Sequence, residues 1–399
     1  MINADLTVVV FGKHYLSSLD IIRSLGIAGY RVSLALVTNA KSIFNIAAKS
    51  KFVSEKKQIP LKEDETVINE FLTFSHSIIG RKFLFPVDDY ANAIIDKFRE
   101  ILEKEYILPI NEDANHSLTE LMDKHVQWEL AKKAGLNVPA ETVIDLSKPI
   151  DIPDNIEYPC FCKPLLSVSG YKKEQCRCNS EEELKEHLNK LKNTNSKRSV
   201  LIQKFLEIED EFVLLGICTF DKAFISGVVN KIIYTKHVKG LGVVFTINDI
   251  MDNDELTKIK DKIECFLLST GYVGMFDLEF AKANGKLFFN ELNIRPSGLG
   301  YSLVKSKMNL PPILVQSLTN EVPNYSKIQN GKYGITFLSE KNVFDDYFKN
   351  TISFRQLCSY YRKTDDSLIK DSKDLVPLMY FYLYQTKRLF SKLAHRRRV

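Results

Sequence analysis

The chain has 399 residues, 45% of them hydrophobic and 26% charged, as expected of a water-soluble polypeptide with two or three domains. It has no apolar run of 18 residues, which excludes a spanning helix, and seven cysteines in so long a chain argue against a disulfide framework and fit a reducing cytoplasm. Net charge is +5, but six Lys and Arg and no acid fall in residues 375–399, leaving the rest at −1 and arguing against nucleic-acid binding by a broad basic surface.

The N-terminus lacks a basic start and a small-residue cleavage site, so residues 6–11, LTVVVF, read as a buried first strand and not as part of a secretion signal. A helical pattern over 17–28, Gly29 as a stop and a strand at 31–37 make a strand-helix-strand opening of a parallel sheet. It lacks G-x-G-x-x-G, so a dinucleotide site is weakly supported. The strand KFLFPV at 82–87 ends at Asp88-Asp89, where acids either meet a ligand crevice or cap the next helix. A helix over 90–105 and a strand at 106–110 close a first domain near residue 112. Ser117-x-x-Glu120 forms a capping box opening a helix to Ala134, with Gly135 as its stop.

Lys163 follows an apolar strand and precedes a small-residue loop, Ser167 to Gly170. A lysine and such a loop can hold nucleotide phosphates through an ammonium and backbone N–H groups, although a strand-end lysine is often merely solvated. Cys160, Cys162, Cys176 and Cys178 make two C-x-C pairs. Zinc prefers wider spacing within each pair, which favours structural thiols. A charged amphipathic helix spans 180–192 and a polar turn 193–198; strands follow at 199–206, 211–219 and 223–235. Residues 236–245, KHVKGLGVVF, suit either a moving lid or a surface hairpin. A helix over 254–270 leads into the most informative stretch.

That stretch is a hairpin, YVGMFDLEFA at 272–281 returning as FFNELNIRPSG at 288–298. Period-two alternation puts Asp277 and Glu279 on one face of the first strand, and Glu291, Asn293 and Arg295 on one face of the second. A two-residue Asn284-Gly285 turn would pair 279 with 290 and send Glu279 and Glu291 to opposite faces. A three-residue loop over 283–285 pairs 277 with 291 and gathers the acids on one side, with Gly285 in the left-handed position, so an odd-numbered loop is expected. Facing carboxylates repel unless a cation lies between them. Carboxylates and an amide oxygen suit a hard divalent cation that holds phosphates, and a guanidinium suits phosphate or carboxylate oxygens.

In order and spacing these features resemble the ATP-grasp superfamily of carboxylate–amine ligases over residues 1 to about 320. FPVDDYANAI and the opening are most similar to D-aspartate ligase-like members, some of which act in cell-envelope pathways. The resemblance implies an α/β and α+β architecture: a Rossmann-like pre-grasp domain (1–112), two subdomains that hold the nucleotide between them (113–205 and 206–325) and a C-terminal extension (326–399). It implies ATP and magnesium (or manganese) as cofactors, and a small-molecule carboxylate and an amine as substrates. Lys124 and Lys163 match lysines near the phosphates, with Ser169 and Gly170 in the phosphate loop. Gln203, Lys204 and Leu206 match the adenine hinge and Glu211 the ribose-binding acid. Glu279, Glu291 and Asn293 match metal ligands, with Asp277 nearby, and Arg295 matches the arginine of the E-x-N-x-R-P ending. The loop SVSGYKK has one glycine where many members have several, which leaves room for a degenerate nucleotide binder; a phosphotransferase is the third reading. The tail, with Tyr380, Phe381, Tyr382 and Tyr384 before a basic stretch, suits either a helix packed on the body or one lying on an anionic membrane at its cytoplasmic face.

Overall fold

The computed structural model describes residues 5–39, 45–165, 174–194, 199–236, 242–319, 321–323, 325, 328 and 330–396. Three sheets organise them. The first is parallel, with strands β1 (Leu6–Gly12), β2 (Arg31–Val37), β3 (Val53–Ile59), β4 (Arg81–Pro86) and β5 (Tyr106–Ile107) in the order 3-2-1-4-5. The order reverses between β1 and β4, so their carboxyl ends open a crevice. Gly12 turns the chain there at φ +153; a Cβ would fall 2.6 Å from Val87 and 2.8 Å from the Asp88 carboxylate. Asp88 spans the crevice. Its Oδ2 accepts the amides of Lys13 (2.5 Å) and His14 (2.7 Å), and its Oδ1 caps the following helix by accepting the Ala91 amide at 2.9 Å.

The second sheet is antiparallel, with β6 (Glu141–Asp145), β7 (Cys160–Pro164), β8 (Cys176–Cys178) and β9 (Ser199–Lys204) in the order 6-9-7-8. Its core is separate from the others and is built from Cys160, Cys162, Cys178, Val200 and Ile202 against Leu184, Leu188 and Leu191 of the Glu181–Thr194 helix. The third sheet has seven strands: β10 (Asp210–Cys218), β11 (Ala223–Tyr234), β12 (Gly242–Asn248), β13 (Gly274–Ala283), β14 (Lys286–Asn293), β15 (Ile335–Leu338) and β16 (Asp366–Ser367). Their order is 14-13-10-11-12-15-16, so the sheet continues beyond residue 325. Two large cores join the first and third sheets. Val9 and Phe11 share one with Trp128, Phe276 and Phe289; Val8 and Val10 share the other with Val213, Phe245 and Phe381.

Three expected helices are each broken in two. The 117–134 pattern gives Leu118–Leu121 and Lys124–Lys133, because Asp123 starts a new cap by accepting the His125 amide at 2.8 Å; the Ser117–Glu120 capping box forms as expected. The 90–105 pattern breaks at Phe98 and the 254–270 pattern at Ile259, both with φ near −113 and non-helical ψ. The strand expected at 106–110 is only Tyr106–Ile107.

The hairpin corrects the expected loop. Ala283 pairs with Lys286 across a two-residue turn, with Asn284 at φ +50 and Gly285 at φ +67, the left-handed pair that this turn type requires. A β-bulge then shifts the register: Phe280 pairs with Phe289, but Glu279 pairs with Glu291 and Asp277 with Asn293. The extra residue, Asn290, restores the shared face that the loop does not supply.

Candidate active site

The bulge is held from outside the sheet. Strand β14 is an edge, and the Lys124–Lys133 helix covers it. Trp128 Nε1 donates to the Asn290 carbonyl at 3.0 Å. Gln127, wholly buried, acts as a surrogate strand. Its Nε2 donates to the carbonyls of Leu292 and Leu121, both at 2.7 Å, and its Oε1 accepts the Leu292 amide at 2.9 Å. Asn137 accepts the Phe289 amide on its carbonyl at 2.8 Å.

This edge forms one wall of a cavity of about 540 Å³ between the second and third sheets. Lys124, Lys163, Gln203, Leu206, Glu211, Glu279, Glu291, Asn293 and Arg295 all line it. Lys124 Nζ lies 2.7 Å from Glu291 Oε1. Asn290 donates to Glu279 at 3.1 Å. Arg295 Nη2 donates to Asn293 Oδ1 at 3.1 Å, and its Nε lies 3.2 Å from Asp89. Glu211 pairs with Lys231 at 3.1 Å. Lys163 lies over the Trp128 ring, 4.8 Å from its centroid, in cation–π contact.

Electrostatics follow from burial. Desolvation pushes the Lys163 ammonium down to about 8, with Glu291 opposing and Lys124 adding to the shift. Burial, with Asp277 and Glu291 adding like charge, pushes Glu279 up to about 7. Burial also raises Asp277 despite Arg295. Burial opposes the charge on Arg295, but Asp89, Asp277 and Glu291 outweigh it and raise its pKa. Closely set carboxylates, one of them with a buried oxygen, Asp277 Oδ1, that meets no hydrogen-bond partner, are a donor set short of positive charge.

Other expected residues lie elsewhere. Asp277 lines a second cavity behind Glu279. Lys204 turns its ammonium to Glu157, and its amide donates to the Ala140 carbonyl at 2.9 Å, so only its carbonyl and stem remain for a ligand. Ser169 and Gly170 lie outside the described residues, as do residues 237–241 of the segment 236–245 expected to be either a moving lid or a surface hairpin. The cysteines are free thiols, and Cys160 and Cys162 face Cys178 and Cys176 across β7 and β8. Asp88 is the helix cap, whereas Asp89 reaches the site. Trp128, Phe205 and Asn290 also line the cavity or hold its wall. Sequence reasoning missed all three; Trp128 carried the one available signal, lying four residues after Lys124 on the same helix face. Another donor group, His125, Glu129 and Glu141, has ligand atoms within 4.8 Å of one another, but Lys132 already lies 2.7 Å from Glu129 and 3.1 Å from Glu141.

Residues 129–308, a little under half of the chain, match the family model described as the ATP-grasp domain. Among solved structures, the L-amino acid ligase of Bacillus licheniformis superposes with a TM-score of 0.62 at 15% identity, covering 84% of this chain and 79% of its own. N5-carboxyaminoimidazole synthetase of Staphylococcus aureus gives a TM-score of 0.61 at 16% identity, covering 89% and 87%. These likenesses establish the ATP-grasp fold, mixed helix and sheet behind a Rossmann-like parallel sheet. The formate-dependent phosphoribosylglycinamide formyltransferase of Sulfolobus acidocaldarius is 28% identical over 172 residues, 41% of this chain and 42% of that protein. The matches span less than half the length of the curated relatives.

Proposed function

We propose that this protein is an ATP-dependent ligase that activates a carboxylate as an acyl phosphate for attack by an amine, forming an amide or peptide-like bond, with an amino acid as one substrate. The observation that carries this reading is the single face on which Glu279, Glu291, Asn293 and Arg295 meet, beside Lys124 and Lys163, on the wall of the 540 Å³ cavity. The fold and the names of its structural neighbours support it.

In this reading Gln203, whose buried Oε1 has no hydrogen-bond partner, faces the adenine with Leu206 and the Lys204 carbonyl, and Glu211 takes the ribose. Lys124 and Lys163 hold the phosphates, with the Ser169–Gly170 loop over them. Glu279, Glu291 and Asn293 hold magnesium or manganese, with Asp277 as a further ligand. The donors fit: they are oxygens, with Glu279 raised by burial and then by the like charges of Asp277 and Glu291, and with a partnerless buried Asp277 oxygen. The bound ions would neutralise the phosphates during transfer. A carboxylate oxygen of the acid attacks the terminal phosphorus and the bond to the bridging oxygen of ADP breaks. The amine then attacks the carbonyl carbon, phosphate leaves and the amine loses a proton. Arg295, fixed by Asp89 and Asn293, stabilises charge on the acyl phosphate oxygens. The pre-grasp domain is 1–112, the two grasp subdomains 113–205 and 206–325, and the extension 326–399.

The extension ends in a helix, Val376–Arg396. No helix among the described residues is long and apolar enough to cross a membrane. Exposed Val376, Met379, Leu383 and Phe390 recur at helical spacing, next to basic residues without acids, which supports peripheral contact with anionic lipid at a cytoplasmic membrane face.

The test is ADP release from ATP and Mg²⁺ across a matrix of carboxylic acids and amines, with products read by mass spectrometry. The expected product is an amide from one acid and one amine, with one ADP for each bond. A phosphorylated acceptor that no amine consumes would make the protein a phosphotransferase. Nucleotide binding without ADP release under any pairing would make it a degenerate binder.

A further inference from the structure

A second cavity, of about 420 Å³, lies beyond the first and shares Glu279 and Arg295 with it. Its walls come from distant parts of the chain: His14 after β1, Lys231 on β11, Gly298 after the E-x-N-x-R-P motif, and Lys341 and Asn342 at the start of the Glu340–Phe348 helix. It therefore opens on the crevice where the order of the first sheet reverses. Its volume suits a ligand the size of an amino acid or a dipeptide.

The charges in its walls are unevenly matched. Asp88 is fully engaged by the amides of Lys13, His14 and Ala91. Asp277 and Glu279 belong to the face read as cation-binding. Lys231 is matched by Glu211. Lys341 lies 3.0 Å from Asp345, but Asp345 also takes Arg388 at 3.0 Å, so one carboxylate serves two cations. His14 lies near both Arg295 and Lys341; burial first, and then these two cations, push its imidazole down to about 4, so it adds no charge of its own at neutral pH.

Lys341 is also on a fixed support. The amide of Ser339 donates to the Val243 carbonyl at 2.8 Å, and Asn342 donates to the Gly242 carbonyl at 2.8 Å. Wholly buried Glu340 accepts the amides of Ile369 at 3.0 Å and Lys370 at 3.1 Å. Asp346 accepts the amide of Lys236 at 2.9 and 3.0 Å. A cation presented from a clamped helix can discriminate between ligands, because little order has to be gained on binding.

We propose that the second cavity receives the substrate acid, and that this acid carries two anionic groups: one against Arg295 on the shared wall, where it is activated, and a second, carboxylate or phosphate, against Lys341. This rests on the ligase reading. Lys341 is then the specificity-determining residue, supplied by the C-terminal extension. A neutral acid of the same size would forgo this second contact and leave the ammonium only the Asp345 carboxylate that it shares with Arg388.

The experiment uses the full chain with ATP, Mg²⁺ and hydroxylamine as trapping nucleophile, and compares aspartate, glutamate and phosphoserine with asparagine, glutamine and alanine. At least one dianionic acid should release ADP with a KM tenfold or more below that of its neutral counterpart; phosphoserine against the dicarboxylates tells which second anion is used. Lys341→Met should raise that KM by tenfold or more, change kcat less than threefold, leave the KM for ATP in place and erase the preference over the amide. Lys341→Arg should restore it. Equal use of neutral and dianionic acids, or a preference that survives Lys341→Met, overturns the proposal. If no acid releases ADP, the ligase reading fails, and calorimetric binding of the same acids with a non-hydrolysable ATP analogue decides the cavity separately. Dianion binding that is lost in Lys341→Met sustains it, and its absence in the wild type overturns it.

Discussion

Lys163 joins burial to function at a single residue. Its ammonium is buried over Trp128, and desolvation lowers it to about 8. Phosphates arriving at this ammonium favour its charged form and raise its pKa in the complex. Nucleotide affinity should therefore be fully present below pH 8 and weaken as pH rises through about 8, by about tenfold between pH 7 and 9. The chain's single tryptophan, Trp128 itself, reports binding by its fluorescence. Lys163→Met should bind more weakly and show a flat profile over that interval; an unchanged slope would remove Lys163 from the phosphate site. The other residues to separate are Glu291 and Arg295. Glu291→Gln keeps size but removes charge from the cation-binding face, so ADP formation should fall by about a hundredfold or more while nucleotide still binds. Arg295→Lys keeps charge but loses the fork that reaches Asp89 and Asn293. It should lower turnover by about tenfold or more and change ATP affinity less. Wild-type turnover in Glu291→Gln would remove the main support for this face as the catalytic one.

The element that makes the face is the bulged hairpin, and its stability depends on a neighbouring helix. Gln127 satisfies both backbone groups of Leu292 and the carbonyl of Leu121. Gln127→Leu leaves these three buried groups without partners, at about 1–3 kcal/mol each before relaxation, so a loss of about 2–4 kcal/mol in urea unfolding is expected. A loss below 0.5 kcal/mol would mean that the edge of β14 finds other partners. This element also shows how far sequence reading reaches. Alternation identified the residues of the face, since period two is a local property. The register was not legible: Asn284-Gly285 makes the two-residue turn, and the compensating bulge at Asn290 depends on the Trp128 indole 162 positions away. Strand β3, VSEKKQI, escaped notice because it is a sheet edge with Ile59 as its one buried residue. The helix at Asp64–Ser75 was likewise unassigned, although Val67, Ile68 and Phe71 lie on its buried side. The part of Lys341 could not be read at all, because β15 and the helix after it reach the site only by joining the far side of the seven-stranded sheet.

For the molecule as a whole, the C-terminal segment belongs to the body through Asp374, Phe381 and Arg388. Arg23, wholly buried, donates to Asp374 Oδ2 at 2.9 Å, to the Ile369 carbonyl at 2.9 Å and to the Asp374 carbonyl at 2.7 Å; Ser50 and the Lys51 amide complete the Asp374 carboxylate. Phe381 enters the core shared by the first and third sheets, and Arg388 joins Asp345 beside Lys341. Two truncations therefore give different outcomes. Removing residues 376–399 strips Phe381 from the core and Arg388 from Asp345. A buried aromatic contributes about 3–5 kcal/mol, so this variant should melt lower and lose turnover with it. Removing 389–399 spares those contacts and takes away exposed Phe390 and the terminal basic cluster. It should keep its melting temperature and its ADP release in solution. If the tail contacts lipid, the same variant should lose most of its sedimentation with phosphatidylserine vesicles at low salt, and added salt should abolish the wild type's binding as it screens the charges. Equal sedimentation of wild type and the 389–399 deletion would end the membrane reading, and the helix would then serve the fold, through Phe381 in the core and Arg388 on Asp345.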